Sequence, residues 1–470
     1  MLAPCPETDV SYACLSERFS QSTLFRDKTW QCSPEPWPLT AAEHAEIEAI
    51  GRACLAFQKA LELLYRRSSE GKSILRNKEL RVPWVAEAYN RGKPEYLRRH
   101  ALSKSQKGAV PVVLRPDLLK TETGFALTEI DAVPGGIGLT AFLNACYAGA
   151  FQDVIEGQGM IDSFYAALAQ LVPAVKQPVI ACVVSDEADT YRPEFEWLCA
   201  QLKEQGKRCY TLHPDEVLEG EGGLFCDVEG ERLRIDVLYR FFELFDLDNV
   251  SCTHAVMAAA EAGNVVVTPP MRPFQEEKLS LALFHHPLLE DFWREALSKE
   301  VYTVLERVVP PSWLLEPVDL PHSAVLVGPQ VAGKPIRDWR DLGEASQRER
   351  GWILKASGFH ETAWGARSVT LGSNCSKEEW TKALDEALDP NREVNYVLQN
   401  YKKPALLEHP VYKETGEVDV QAGRLRLCPY YMCQGEQVDL VGILATFCPA
   451  DKKIIHGMSD AALIPCQRKR

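Results

Sequence analysis

No stretch of this 470-residue chain is apolar for long enough to cross a bilayer as a helix, which takes about 20 consecutive apolar residues. The opening residues, MLAPCPETDVSYACLSERF, lack a basic region leading into an apolar run, so no secretory leader is expected. There is no low-complexity tract and no Cys-x-x-Cys pair. The fifteen cysteines are scattered singly, and Cys428 and Cys433 sit in an apolar segment that reads as core rather than as a metal site. A reduced, cytoplasmic protein with buried thiols is the expectation. The chain has no Gly-x-Gly-x-x-Gly, which leaves a nicotinamide or flavin site without support. It also has no surplus of positive charge: a net charge of −14 withholds the basic footprint that nucleic-acid binding needs. An acidic protein can still hold a local basic pocket, so ATP is not excluded.

What the chain does have is the make-up of a globular protein, 46% hydrophobic and 25% charged, in a length that implies two or three packed units. Thr40 ahead of Glu43 is a capping-box signature. Ile47, Ile50, Cys54, Phe57, Leu61 and Leu64 then recur at helical spacing, predicting an amphipathic helix over 40–68. Residues 79–101 and 139–172 read as further helical stretches. PVIACVVSD (178–186), YTL (210–212), LRIDVLYRFF (233–242) and NVVVTPP (264–270) read as strands, with a helix after the first. Strand, helix, strand at these lengths predicts a parallel, doubly wound α/β layer. Arg240 and Glu243 lie near one strand's end, where such sheets bind ligands, with an ordinary salt bridge as the alternative.

The densest chemical signal is PVVLRPDLLKTETGFALTEIDAVPGGIGL, residues 111–139. Arg115 and Asp117 are two residues apart, as are Glu129 and Asp131, so in extended strands each pair shares a face. A three-residue loop centred on Thr123, closed by Gly124, sets Arg115 opposite Asp131 and Asp117 opposite Glu129. Val113, Leu119 and Leu127 are expected on the same face. Carboxylates opposed at about 5 Å repel by roughly 3 kcal/mol at an effective dielectric near 20, which a cation between them relieves. Hard oxygen donors of this kind suit Mg²⁺; a salt-bridged surface hairpin is the alternative.

Gly328 to Lys334 fits Gly-x-x-x-x-Gly-Lys, but Pro335 stands where a P-loop needs Ser or Thr, so no P-loop is expected. A better phosphate cradle is WILKASGFHETAWGARSV (352–369). Here a strand delivers Lys355, and Ser357, Gly358, Gly365 and Arg367 follow in a glycine-bearing loop whose amides can close over an anion. Lys278 heads a helical segment. Arg424 and Arg426 share a strand face and are candidates for a phosphate or substrate carboxylate, and Asp451, Lys452, Lys453 and His456 lie in a late loop.

Arg-x-Asp, a gap, Glu-x-Asp and then a Pro-Gly segment resemble the metal-binding core of the circularly permuted ATP-grasp ligases, the family of glutathionylspermidine synthetase. The similarity in motif order runs from about residue 111 to the C-terminus. It implies that Asp117, Glu129 and Asp131 hold Mg²⁺ against ATP, with Asp131 where the family often has Asn, and that Arg115 steadies the acyl-transfer intermediate. It implies further that Lys355 and Lys278 bind ATP phosphates and that Gln399, Asn400 and Tyr401 form the adenine hinge. The expected fold is mixed α/β: a helical region over 1–110, a Mg²⁺-binding hairpin over 111–175, an α/β pre-ATP-grasp-like domain over 176–275, and ATP-binding lobes over 276–470. The expected activity is ADP-forming ligation of a small-molecule carboxylate to an amine of the amino acid, peptide or polyamine class. The chain lacks room for the amidase domain that accompanies some members of that family, so synthesis without hydrolysis is expected. A small-molecule kinase and a non-catalytic nucleotide-binding module are the alternatives.

Overall fold

The computed structural model describes every residue except 1–5, 7, 26–27, 158, 276, 322–323, 362–367, 456–459 and 470. The fold is mixed α/β and divides into two compact units: Met1–Leu55 with Ser103–Met271 and Lys403–Arg470, and Ala56–Leu102 with Arg272–Lys402. The predicted helix is there as Ala41–Ser69, started by the Thr40–Glu43 box, in which the Glu43 amide donates to Thr40 Oγ1 at 3.2 Å. Among the described residues no helix is long and apolar enough to cross a membrane.

The first unit holds two large sheets and a small three-stranded one, Leu218–Gly220, Gly223–Val228 and Glu231–Arg234. A seven-stranded sheet runs in the order Trp37–Leu39, Ala462–Arg468, Gln437–Pro449, Val418–Gln434, Val113–Thr121, Gly124–Asp131, with Leu407–Tyr412 also pairing with Val418–Gln434. A four-stranded sheet runs Val266–Thr268, Val237–Phe241, Ile180–Val184, Cys209–Leu212, and every pairing in it is parallel. The all-apolar strand Ile180–Val184 is buried throughout, as parallel strands covered by helices must be. Helices Met160–Ala169 and Arg192–Glu204 contribute Phe164, Leu168, Phe195 and Leu198 to the core around it.

The second unit carries a four-stranded sheet in the order Ser312–Leu315, Asn395–Asn400, Trp352–Ser357, Thr370–Leu371, antiparallel at each pairing. Trp339, Trp352, Trp380, Leu384 and Leu398 are among its core. The P-loop look-alike is a β-hairpin: Gln330–Val331 pairs with Lys334–Pro335 around Ala332 (φ 51°) and Gly333 (φ 72°). Two central residues at positive φ make the tight turn typical of hairpins, and no helix starts there.

The expectation of thiols throughout needs one correction. Cys14 is disulfide-bonded, while thirteen other cysteines are free, all but Cys375 buried.

Candidate active site

Strands Val113–Thr121 and Gly124–Asp131 pair with Arg115 opposite Asp131 and Asp117 opposite Glu129, as the sequence predicts. They reach that register by a different route. Thr121 pairs with Gly124, so the loop is two residues long, not three, and the register shifts by one between Asp117 and Leu118. Thr128 is the extra residue of this bulge, and its hydroxyl donates to the Asp117 carbonyl at 3.2 Å. The shorter loop and the bulge cancel at the charged end. They do not cancel nearer the turn: Leu127 faces Leu118 rather than sharing the charged side. Leu118, Leu127 and Leu427 form a fully buried apolar underside.

The third strand of this face comes from far along the chain. Arg426 pairs with Leu119, and Arg426, Cys428 and Tyr430 alternate onto the side that carries Arg115 and Asp117. Arg426 Nη1 lies 2.8 Å from Asp117 Oδ2, and the Cys428 thiol donates to Asp117 Oδ1 at 3.5 Å. Arg115 bridges the acids: Nη2 to Asp131 Oδ2 at 2.8 Å, Nε to Asp117 Oδ1 at 3.4 Å. Arg115 is therefore not the lone cation of the cluster; Arg426 is the second. The Nε–H groups of both arginines are buried without a hydrogen-bond acceptor. Buried donors are normally satisfied, and these two are exceptions on the face that carries the carboxylates.

Burial works against the charge of Arg115, yet the Asp117 and Asp131 carboxylates hold its proton well above the ordinary range. Burial also raises the pKa of Asp131; Arg115 opposes the rise, and the charges of Glu129 and Asp117 add to it. Like-charge crowding is thus present at Asp131, as the opposed carboxylates imply.

The Pro134–Gly138 segment closes over this face. The Gly135 carbonyl accepts from Arg115 Nη1 at 3.0 Å and from the Tyr430 hydroxyl at 2.8 Å. Gly136 sits at φ 88°, and a Cβ there would lie 2.5 Å from the Tyr430 hydroxyl, so only glycine fits. Helix Ile137–Ala148 follows, and Glu194 caps it by accepting from the Gly136 and Leu139 amides at 2.7 and 3.3 Å. Sequence spacing gave no hint of Glu194, which reaches this turn from another helix. Burial pushes its carboxyl up to about 7, against the pull of the two amides and Arg115.

That shift has a definite sign. A carboxyl whose pKa is higher folded than unfolded stabilises the fold below its unfolded pKa and loses that contribution as pH rises through the folded value. Between pH 4.5 and 7.5 the stability of wild type relative to Glu194→Gln should fall by up to about 3 kcal/mol. Urea melts of both proteins across that range check it, and parallel pH profiles would contradict it.

The second unit gathers another set. Lys355 is buried, and its ammonium donates to Gln399 Oε1 at 3.1 Å; Gln399 Nε2 in turn donates to Ser312 Oγ at 3.0 Å. Ser357 accepts from the Leu279 amide at 2.7 Å and donates to Glu277, which is ion-paired with Lys93. Burial raises the pKa of Glu277, with Lys93 opposing. Lys278 stands at the N-cap of helix Leu279–Phe284. Gly358 lies beside Glu277 (a Cβ there would meet Oε1 at 2.1 Å). The Asn400 amide donates to the Pro311 carbonyl and that of Tyr401 to Gly351. Lys93 and Glu277 escaped sequence reasoning, being buried charges that pair 184 residues apart. Gly365, Arg367 and His456 lie outside the described residues.

Arg240 and Arg424 each donate to backbone carbonyls. Arg240 is fully buried and donates to the Pro269 and Phe242 carbonyls; Arg424 donates to Ala450 and Pro404.

For a cation the three carboxylates are right in kind, being hard oxygen donors on one face. In distance they do not converge. Among the described residues only Cys182, Cys199 and Cys209 bring three metal-binding atoms within 4.8 Å of one another. Mg²⁺ usually takes only one or two carboxylates and completes its shell with phosphate oxygens and water, so the residues present fit Mg²⁺ together with a nucleotide.

No protein-family model matches this chain, and no curated protein sequence is similar to it. Among solved structures, a candidate γ-glutamylcysteine synthetase from Methylobacillus flagellatus aligns at TM-score 0.44 and 11% identity, covering 87% of this chain and 88% of that one. A likeness that distant carries no weight. A glutathione synthetase-like effector from Globodera pallida aligns at TM-score 0.55 and 11% identity, covering 99% of this chain and 100% of that one. In fold, and at this identity in fold alone, the chain is similar to that synthetase-like protein over almost the whole length of both.

Proposed function

We propose that the chain is an ADP-forming carboxylate–amine ligase of the circularly permuted ATP-grasp type, joining an acid and an amine of the amino acid, peptide or polyamine class. The observation that carries this reading is the charged face of the hairpin. Asp117, Glu129 and Asp131 lie interleaved with Arg115 and Arg426, each of which holds a buried Nε–H without an acceptor. The fold likeness to a protein named for glutathione synthetase points the same way.

In this reading Asp117, Glu129 and Asp131 would share Mg²⁺, one or two of them as direct ligands, and the ion would offset the charge of the nucleotide phosphates. Lys355, Lys278 and the loop from Ser357 bind phosphate, and Gln399, Asn400 and Tyr401 meet the adenine. A carboxylate oxygen of the acid attacks the γ-phosphorus and ADP leaves. The amine then attacks the acyl carbon, phosphate departs with that oxygen, and the amine nitrogen loses a proton. Arg115 offers a fixed, planar pair of donors to the oxygen that becomes negative in the second step. No nucleophilic side chain is required.

ADP release measured over pairs of acids and amines tests this. The reading expects release only when both are present, with Mg·ATP. Release with a hydroxyl acceptor alone would make the protein a kinase, and nucleotide binding with no release for any pair would make it a binding module.

A further inference from the structure

Away from the charged face, three cysteines from three elements meet at one point. Cys182 lies on strand Ile180–Val184, Cys209 opens strand Cys209–Leu212, and Cys199 is on the buried stripe of helix Arg192–Glu204. The parallel register sets Ile180 beside Cys209 and Cys182 beside Thr211. Cys182, Cys209 and Thr211 therefore share the face that the helix covers. The sulfurs of Cys199 and Cys209 are 3.5 Å apart and those of Cys182 and Cys209 3.9 Å, with all three within 4.8 Å of one another.

With the third edge at most 4.8 Å, an ion equidistant from the three sulfurs stands about 2.0–2.4 Å from each, against ~2.3 Å for a zinc–thiolate bond. The surroundings are apolar, with Ile180, Val184, Phe195, Leu198 and Leu202 in the same core, and all three cysteines are buried. The buried Thr211 hydroxyl, without a hydrogen-bond acceptor of its own, lies beside Cys199 and can donate to its thiolate.

We propose that Cys182, Cys199 and Cys209 form a closed binding site for one soft d¹⁰ cation, with Cu(I) as the best match. Thiolates select soft ions, three sulfurs without a fourth ligand suit three-coordinate Cu(I), and a structural zinc site needs a fourth ligand that none of the described His, Cys, Asp or Glu side chains supplies. Each thiol that binds gives up its proton, so loading releases protons and is coupled to folding. The ion would pin the helix to the strand pair and takes no part in the proposed ligation.

The test uses the full chain, isolated from copper-supplemented cells and, separately, incubated with Cu(I) or with Zn²⁺ under a reductant. Native mass spectrometry should find one copper per chain after desalting, and X-ray absorption should give three sulfur neighbours at about 2.2–2.3 Å. Cys199→Ser should weaken copper retention against a competing chelator by ~100-fold or more, beyond the 10–100-fold typical of lost outer-shell partners, while Cys375→Ser leaves it unchanged. Should Cys199→Ser fail to fold, the stoichiometry and absorption spectrum of wild type still decide. Wild type that keeps no copper, binding unaffected by Cys199→Ser, tighter retention of zinc than copper, or a Cys199–Cys209 disulfide in the isolated protein would each overturn the site.

Discussion

Arg115→Ala should bind Mg·ATP within a few-fold of wild type and yet form amide about 10²–10³ times more slowly, the usual cost of losing a preorganised charge at a developing oxyanion. Three fixed contacts hold Arg115, to Asp131, Asp117 and the Gly135 carbonyl. The same contacts give it a structural share. Removing it leaves Asp131 against the charges of Asp117 and Glu129, and the half-buried setting brings the expected cost to about 3 kcal/mol or less. Arg115→Lys restores the charge but not the planar fork, so it should recover stability and remain strongly impaired in turnover. Calorimetry for nucleotide affinity, mass spectrometry for product and a melt for stability separate the contributions. If both variants turn over at the wild-type rate, Arg115 is a salt-bridge partner and nothing more.

Lys355→Met should do the reverse, lowering Mg·ATP affinity with little effect on the fold. The ammonium is buried in an antiparallel sheet with Gln399 as a neutral partner, a setting where a phosphate oxygen would meet it with little solvent screening. Truncating one partner of a buried charge pair costs about 2–5 kcal/mol, so affinity should drop by roughly 30-fold to several thousand-fold. Methionine keeps the volume, and a melt of the variant beside wild type separates any change in stability from the change in affinity. Affinity unchanged in this variant would move the nucleotide away from the sheet altogether.

The sequence disclosed what local periodicity and short loops control. Alternation across two neighbouring strands placed Arg115, Asp117, Glu129 and Asp131 on one face, because a hairpin's register is a local property. Even there the turn was misread: Glu122–Thr123 is the loop, and the Thr128 bulge restored the pairing by compensation. Helical spacing from Ile47 to Leu64 gave the long helix, and the apolar run at Ile180–Val184 gave a parallel strand. Partners that meet through tertiary closure were hidden. Asp117 and Arg426 are 309 residues apart, Lys93 and Glu277 are 184 apart, and no spacing rule connects them. Glu194 looked like any acid in the first turn of a helix, although it caps a different helix and is buried doing so. The three converging cysteines were scattered single residues until strand register brought Cys182 and Cys209 to one face.

The acyl phosphate is the centre of the account, and one labelling experiment reaches it directly. With an acid and amine pair that supports ADP release, the acid is supplied with ¹⁸O in its carboxylate and the released phosphate is weighed. Attack of that carboxylate on the γ-phosphorus followed by displacement at carbon moves one labelled oxygen into phosphate for every amide formed. One ¹⁸O in phosphate per amide is the predicted result. Unlabelled phosphate, with both labelled oxygens accounted for in the acid or its product, would contradict it.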